Sequence, residues 1–387
     1  MFLSPGSARK KTSGVIFEDP PKLHPTSLLR AGLLGLPSSG KTTLFQLLTS
    51  AREGARTSGK SEANVGVSRV PDERLDRLTA LFKPRKHVPA TVEFADMGAG
   101  RSGSAKDLLD VAAYRNADAL LHVVRAFTDP SVPIAQGAID PARDVRLVED
   151  EMILADLGIV ERRLERLTKD LKKTPTPELK LEDALLGRAK AHLENGLALR
   201  TLSLDVDDRK RLRGFQFLSA KPLLIVLNLD EADVGSTERA GEALGLQSLL
   251  RDTGAASVGV CAKIELEIAA LDPADAAVFL ADLGLSRSGL DRVIRAAYDL
   301  LGYISFFTVG EDECRAWSIP RGTIAVDAAR EIHSDIQRGF IRAEVVPWDE
   351  LLARGSTAAC RDKGSLRLEG KEYVVNDGDV IEFRHAT

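Results

Sequence analysis

Gly35-Leu36-Pro37-Ser38-Ser39-Gly40-Lys41-Thr42 decides how this sequence is read. The short apolar run Ala31-Gly32-Leu33-Leu34 precedes it, and Thr42-Thr43-Leu44-Phe45-Gln46-Leu47-Leu48 follows with the pattern of an amphipathic helix. A loop of the form Gly-x-x-x-x-Gly-Lys-Thr needs its glycines because backbone N–H groups must converge on phosphate oxygens where a Cβ would intrude. It needs the lysine for the β- and γ-phosphates and the hydroxyl for Mg2+. Strand, loop and helix in this order predict a phosphate cradle formed by Gly35, Pro37, Ser38, Ser39, Gly40, Lys41, Thr42 and Thr43.

Phosphoryl transfer also requires a carboxylate at the end of a neighbouring strand, to hold the water shell of the metal. Asp96, which closes Val92-Glu93-Phe94-Ala95, is the candidate. Lys41 and Asp96 are therefore the expected catalytic pair, and Thr42 and Asp96 the expected Mg2+ ligands. The base loop of guanine-specific P-loop proteins reads Asn-Lys-x-Asp. This chain offers Asn228-Leu229-Asp230-Glu231 after an apolar run, without the lysine and with the longer Glu231 in place of Asp. Cys261-Ala262-Lys263, after Ser257-Val-Gly-Val, resembles the Ser-Ala-Lys loop that closes on the base. Asn228, Asp230, Glu231, Cys261, Ala262 and Lys263 thus complete the candidate nucleotide site, with ATP expected over GTP.

Outward from the loop, strand-like runs at Ala31–Leu34, Val92–Ala95, Ala119–Val124 and Leu223–Leu227 alternate with helical patterns, the signature of an α/β fold with a mostly parallel sheet. Leu157, Val160, Leu164, Leu167 and Leu171 recur at helical steps, and Leu186, Ala189, Leu193 and Leu197 form a second stripe. Thr174-Pro175-Thr176-Pro177 separates them, so an antiparallel helical hairpin is expected. Arg162, Arg163, Arg166, Lys172, Lys173, Arg209, Lys210, Arg211 and Arg213 give it a positive face, either solvated or in local contact with RNA. Beyond Gly302, the runs Ser305–Val309, Arg342–Val346, Tyr373–Val375 and Val380–Phe383 predict a small sheet-rich domain, with Asn376-Asp377-Gly378-Asp379 as turn chemistry. No internal repeat is present.

The chain has 387 residues, long enough for two or three domains. A charged fraction of 28% and a formal net charge of −4 exclude a broad basic field, so any RNA contact must be local. The three cysteines, Cys261, Cys314 and Cys360, include no Cys-x-x-Cys pair, which argues against zinc or a disulfide framework and for a reducing cytoplasm. No apolar run approaches the ~20 residues of a membrane span. Residues 1–27 lack the apolar core of a signal peptide and are expected to form a mobile arm.

Taken in order, several blocks resemble the YchF or Obg-like ATPase family of translation-factor-class P-loop proteins. They are Gly35-Leu-Pro, Asn64-Val-Gly-Val, Val70-Pro-Asp-Glu-Arg-Leu-Asp, Lys83-Pro84, Glu93-Phe-Ala-Asp96 and Ala117-Asp-Ala-Leu-Leu-His-Val-Val-Arg. The likeness continues through Asn228-Leu-Asp-Glu, Cys261-Ala-Lys-Ile-Glu, Gly339-Phe-Ile-Arg-Ala-Glu-Val, Leu368-Glu-Gly-Lys-Glu-Tyr and Asn376-Asp-Gly-Asp-Val. The resemblance implies a G domain over 28–142 and 218–302, interrupted by a helical insert over 143–217 and followed by a ubiquitin-like β-grasp (TGS) domain over 303–387. It also implies slow ATP hydrolysis and ribosome binding.

The chain departs from the family pattern at several points. Asp96-Met97-Gly98-Ala99-Gly100 stands where the family reads Asp-x-Ala-Gly-Leu, which puts Ala99 in place of the glycine that meets the γ-phosphate. Ser38 replaces the P-loop asparagine linked to potassium activation. The switch threonine expected before Asn64 is absent, with Ser61 nearby, and Gly100 and Arg101 occupy the place of a water-orienting glutamine. Three readings follow: a slow ATPase switch on the ribosome, an ATP-binding scaffold with negligible hydrolysis, and a GTP-specific switch. Leu229 and Glu231 weigh against the third.

Overall fold

The computed structural model describes residues 30–50, 64–96, 111–134 and 137–386. The expectations placed on 1–27, on Ser61 and on the segment 97–101 lie outside them.

Among the described residues, two six-stranded sheets organise the chain. Its strands are β1 (Arg30–Leu34), β2 (Asn64–Arg69), β3 (Lys86–Val88), β4 (Thr91–Asp96), β5 (Ala119–Ala126), β6 (Leu223–Leu229), β7 (Ala256–Val260), β8 (Tyr303–Thr308), β9 (Glu313–Pro320), β10 (Phe340–Pro347), β11 (Arg367–Glu369) and β12 (Asp379–His385). The first sheet has the order β2-β4-β1-β5-β6-β7. All its neighbours run parallel except β2, which pairs antiparallel with β4. β5 and β6 are near-continuous apolar runs because helices cover both their faces. On one face, Leu44, Leu47 and Leu48 of α1 (Lys41–Ser50) join Val293, Ala297 and Tyr298 of the helix Gly289–Leu300. On the other, Val145, Val148 and Met152 of α3 (Pro141–Lys173) pack against Leu120, Val124, Ile225 and Leu227. The remaining named helices here are α2 (Glu73–Phe82) and α4 (Pro177–Glu194).

The helical hairpin forms as the sequence dictates. α3 ends at Lys173, and Thr176 caps the next helix by accepting from Leu179 N, with Pro177 where no N–H is required. Val160 and Leu167 bury their side chains against Leu186, Ala189 and Leu193. Arg163 grips Glu182 with two bonds of 2.7 and 2.8 Å. The second stripe is shorter than expected, because Leu197 lies past the helix and is exposed. At the hairpin root, the fully buried Asp156 accepts from Leu218 N, Ser219 N and Ser219 Oγ at 3.0, 2.7 and 2.8 Å. Burial nevertheless pushes its carboxyl pKa up.

The second sheet has the order β11-β10-β12-β8-β9-β3. β8 and β12 are parallel neighbours, while β8–β9, β10–β12 and β10–β11 are antiparallel, the mixed pairing of a β-grasp unit. Three strands were not anticipated here, β9, β3 and β11. The expected strand at Tyr373–Val375 is instead a single bridge between Val374 and Ile324. The Tyr373 hydroxyl donates to Asp379 Oδ2 at 2.7 Å, so this segment serves the turn rather than the sheet.

β3 pairs in parallel with β9 and so carries the first half of the chain into the second sheet. A common core reinforces the junction: Leu75 and Leu78 of α2 cluster with Phe307, Cys314, Val346 and Cys360. Across it, Arg74 reaches Asp377 at 2.9 Å while also bonding Asp72, the cap of its own helix, at 2.7 Å. Cys261, Cys314 and Cys360 are buried free thiols. Among the described residues, no helix is long and apolar enough to cross a membrane.

Candidate functional site

The loop after β1, the end of β4 and the loops after β6 and β7 all open at the carboxyl edge of the parallel strands, where α/β sheets bind ligands. The phosphate loop is held there by backbone approach. A Cβ on Gly35 would lie 2.5 Å from Val123 O and 2.9 Å from Ser39 Oγ. Gly40 has φ +89°, and its Cβ would collide with Asn228 Nδ2. Ser38 also takes a left-handed backbone, φ +65°, without being a glycine. Leu44 N then donates to Gly40 O at 2.9 Å, starting α1, so Lys41, Thr42 and Thr43 form its first turn.

Lys41 Nζ lies 2.8 Å from Asp96 Oδ1, which brings the expected catalytic pair together. Asp96 is buried at the end of β4, whereas Thr42 and Pro37 are exposed at the mouth. A hydroxyl and a carboxylate are hard oxygen donors, the kind that share a Mg2+ with substrate phosphates and water. Among the described residues, no group of three or more His, Cys, Asp or Glu side chains could hold a metal without such help.

The base-loop residues are placed together, but their polar groups serve the protein. Asn228 is buried and donates through Nδ2 to Ser39 O, while its Oδ1 accepts from Ala262 N, both at 3.1 Å. It therefore braces the phosphate loop against the loop after β7. Asp230 accepts from Thr128 N at 3.0 and 3.1 Å. Glu231 pairs with Lys263 across the two loops, and that bond holds the Lys263 ammonium above its usual pKa. Cys261 is buried at the start of the helix Ala262–Ala270, and burial pushes its thiol pKa up.

Sequence reading passed over two residues of β5. Arg125 is buried and bonded to main-chain carbonyls: it donates to Pro133 O at 2.9 Å and to Phe127 O and Val132 O at 3.2 Å, with its guanidinium 4.5 Å from the Phe127 ring centroid. It thereby shapes the loop beside Asp230. His122 lies in a cavity behind the phosphate loop, lined also by Leu36, Ser39, Arg125 and Asp144. Its Nε2 and the Ser39 Oγ are both buried without a hydrogen-bond partner among the described residues. Burial pushes the His122 pKa down to about 3. A polar residue inside an apolar strand run was the available signal for it.

With the geometry in place, similarity to known proteins decides the family. A ribosome-binding ATPase YchF of Bacillus subtilis (strain 168) is 40% identical over 364 residues, covering 92% of this chain and 99% of the relative. The chain belongs to the YchF family. The ribosome-binding ATPase YchF of Escherichia coli O157:H7 is 36% identical over 363 residues, covering 92% of this chain and 98% of its own length. The model of the YchF-GTPase_C family, described as "Protein of unknown function (DUF933)", matches residues 303–386, the stretch that forms β8 to β12. Among solved structures, the YchF GTPase of Schizosaccharomyces pombe superposes with a TM-score of 0.82 at 27% identity, covering 93% of this chain and 99% of that one. Family membership therefore spans both sheets and the helical hairpin, and agrees with the resemblance read from the sequence blocks.

Proposed function

We propose that this chain is a slow, Mg2+-dependent ATPase that binds ribosomes and uses the nucleotide as a conformational switch. The observation that carries the reading is the phosphate loop itself, in which Gly35 and Gly40 stand where a Cβ would strike Val123 O and Asn228 Nδ2, and Lys41 stands 2.8 Å from the buried Asp96. Family relatives are named ribosome-binding ATPases, and the alignment with them includes this loop. Mg2+ would be held by Thr42 and Asp96 together with phosphate oxygens, and would neutralise charge on the transferred group. The division into a G domain (28–142 and 218–302), a helical insert (143–217) and a TGS domain (303–387) belongs to this reading. So do a local RNA contact through the basic face of the insert and a cytoplasmic location, which buried free thiols favour.

With Asp230 and Glu231 both engaged and no lysine at Leu229, ATP is expected to bind about tenfold more tightly than GTP, or ~1.4 kcal/mol. Calorimetric titration of both nucleotides with Mg2+, followed by phosphate release and co-sedimentation with ribosomes, tests each element separately. No ATP binding, or a GTP preference, would overturn the central claim. Binding without phosphate release would reduce the protein to an ATP-dependent scaffold.

A further inference from the structure

A guanine edge presents N1–H and a 2-amino group, two donors that a carboxylate satisfies together; an adenine edge presents an acceptor at N1 and a donor at N6. Selectivity at this site therefore turns on whether a carboxylate is free to accept. Asp230 and Glu231 open the loop after β6. Asp230 already receives Thr128 N on both oxygens. Glu231 is held by Lys263, which comes from the loop after β7, 32 positions on in the sequence. Asn228 ties these same loops to the phosphate loop, so the ion pair lies on the rim that a base must reach once its phosphates are seated.

We propose that Lys263 is a selectivity latch: by pairing with Glu231 it withdraws the carboxylate at the motif position that would otherwise read guanine, and so keeps the site for adenine nucleotides. The latch rests on the reading of this site as nucleotide-binding and adds to it a residue that sets the preference. Lys263 acts through Glu231 and touches neither the phosphates nor the reacting atoms. Both partners are substantially exposed, at 69% and 46% of the side chain, so the restraint is weak and sensitive to salt. Asp129 and Glu267 add attraction on the lysine without replacing the bond.

The test uses the full chain with Mg2+ and compares GTP and ATP dissociation constants in wild type, Lys263→Met, Glu231→Gln and the double variant. Methionine keeps the length and apolar stem of lysine while removing the charge. In Lys263→Met, GTP should bind about fivefold more tightly relative to ATP, the upper end of what an exposed ion pair can withhold. The gain should vanish in the double variant, because it runs through the Glu231 carboxylate. In wild type, raising salt should narrow the ATP-to-GTP ratio, and in Lys263→Met it should leave that ratio flat, a response that lost packing alone would not produce. An unchanged ratio in Lys263→Met, or a gain that survives Glu231→Gln, overturns the latch while leaving ATP binding standing. Wild-type protein that binds neither nucleotide overturns the site reading and the latch with it.

Discussion

The Lys41 ammonium and the Asp96 carboxylate lie 2.8 Å apart, joining the first turn of α1 to the last residue of β4. The contact is mostly shielded, with 15% of the lysine side chain and 1% of the aspartate exposed. A lysine at that position can turn from the carboxylate to phosphate oxygens with little movement. Lys41→Ala should therefore abolish measurable ATP binding and leave a cooperatively folded protein, because the side chain belongs to no apolar cluster. Calorimetry with ATP and a denaturant melt check both halves. Unchanged ATP affinity would refute the assignment of the loop.

Gly40 makes a sharper structural prediction. Its φ of +89° is unfavourable for any residue with a Cβ, and that Cβ would strike Asn228, which joins Ser39 O to Ala262 N. Gly40→Ala should lower stability by about 2–3 kcal/mol, combining backbone strain with the displaced brace. It should also weaken ATP binding, because the same brace fixes the loop after β7. Urea unfolding gives the first quantity and titration the second. A stability loss below half a kcal/mol would mean that the loop relaxes freely.

These two residues also show how far the sequence was legible. The phosphate loop, β4 with Asp96, and the paired helices declare themselves through spacing along a few turns of chain. β9 did not, because its eight residues mix Glu313, Arg315 and Trp317, all half-exposed, with buried Cys314, Ala316 and Ile319. β3 is three residues long and exists by pairing with that distant strand. Asn228 was read as a base-facing residue from its motif; spacing cannot tell whether an amide faces a ligand or two backbone groups 189 and 34 positions away. The Glu231–Lys263 pair is of the same kind, created by the adjacency of β6 and β7.

Ser38 links backbone geometry to rate. At φ +65° it occupies a conformation that asparagine adopts several times more readily than other side-chain-bearing residues. Ser38→Asn should stabilise the loop by about 0.5–1 kcal/mol. It should also supply an amide oxygen beside the β- and γ-phosphates, where a monovalent cation can stabilise the transition state. Wild-type hydrolysis is expected to be slow, on the order of 10⁻⁴ s⁻¹ as in unassisted enzymes of this fold, with little preference for potassium over sodium. Phosphate release measured in the two salts should show a potassium response in Ser38→Asn. Strong potassium activation of the wild type would contradict the role given to this position.

His122 gives a dependence on pH whose sign is fixed by burial. Its folded pKa, pushed down to about 3, lies below the ~6.5 of an exposed imidazole. Above pH 6.5 both folded and unfolded chains carry it neutral, and it contributes no slope. Below 6.5 the unfolded chain takes up a proton that the folded chain refuses, so stability falls by up to ~1.4 kcal/mol per pH unit until about pH 3. Between pH 7 and pH 5 this one residue should remove about 2 kcal/mol. Asp156 and Glu265, whose carboxyl pKa values burial pushes up, are common to wild type and variant. His122→Gln, which cannot titrate, therefore isolates the term. Its absolute stability will differ, because glutamine fills the cavity beside Ser39 differently, but its urea-derived stability should fall less steeply from pH 7 to pH 5. Parallel curves for the two proteins would show that His122 is protonated in the folded state, and that the cavity behind the phosphate loop admits solvent.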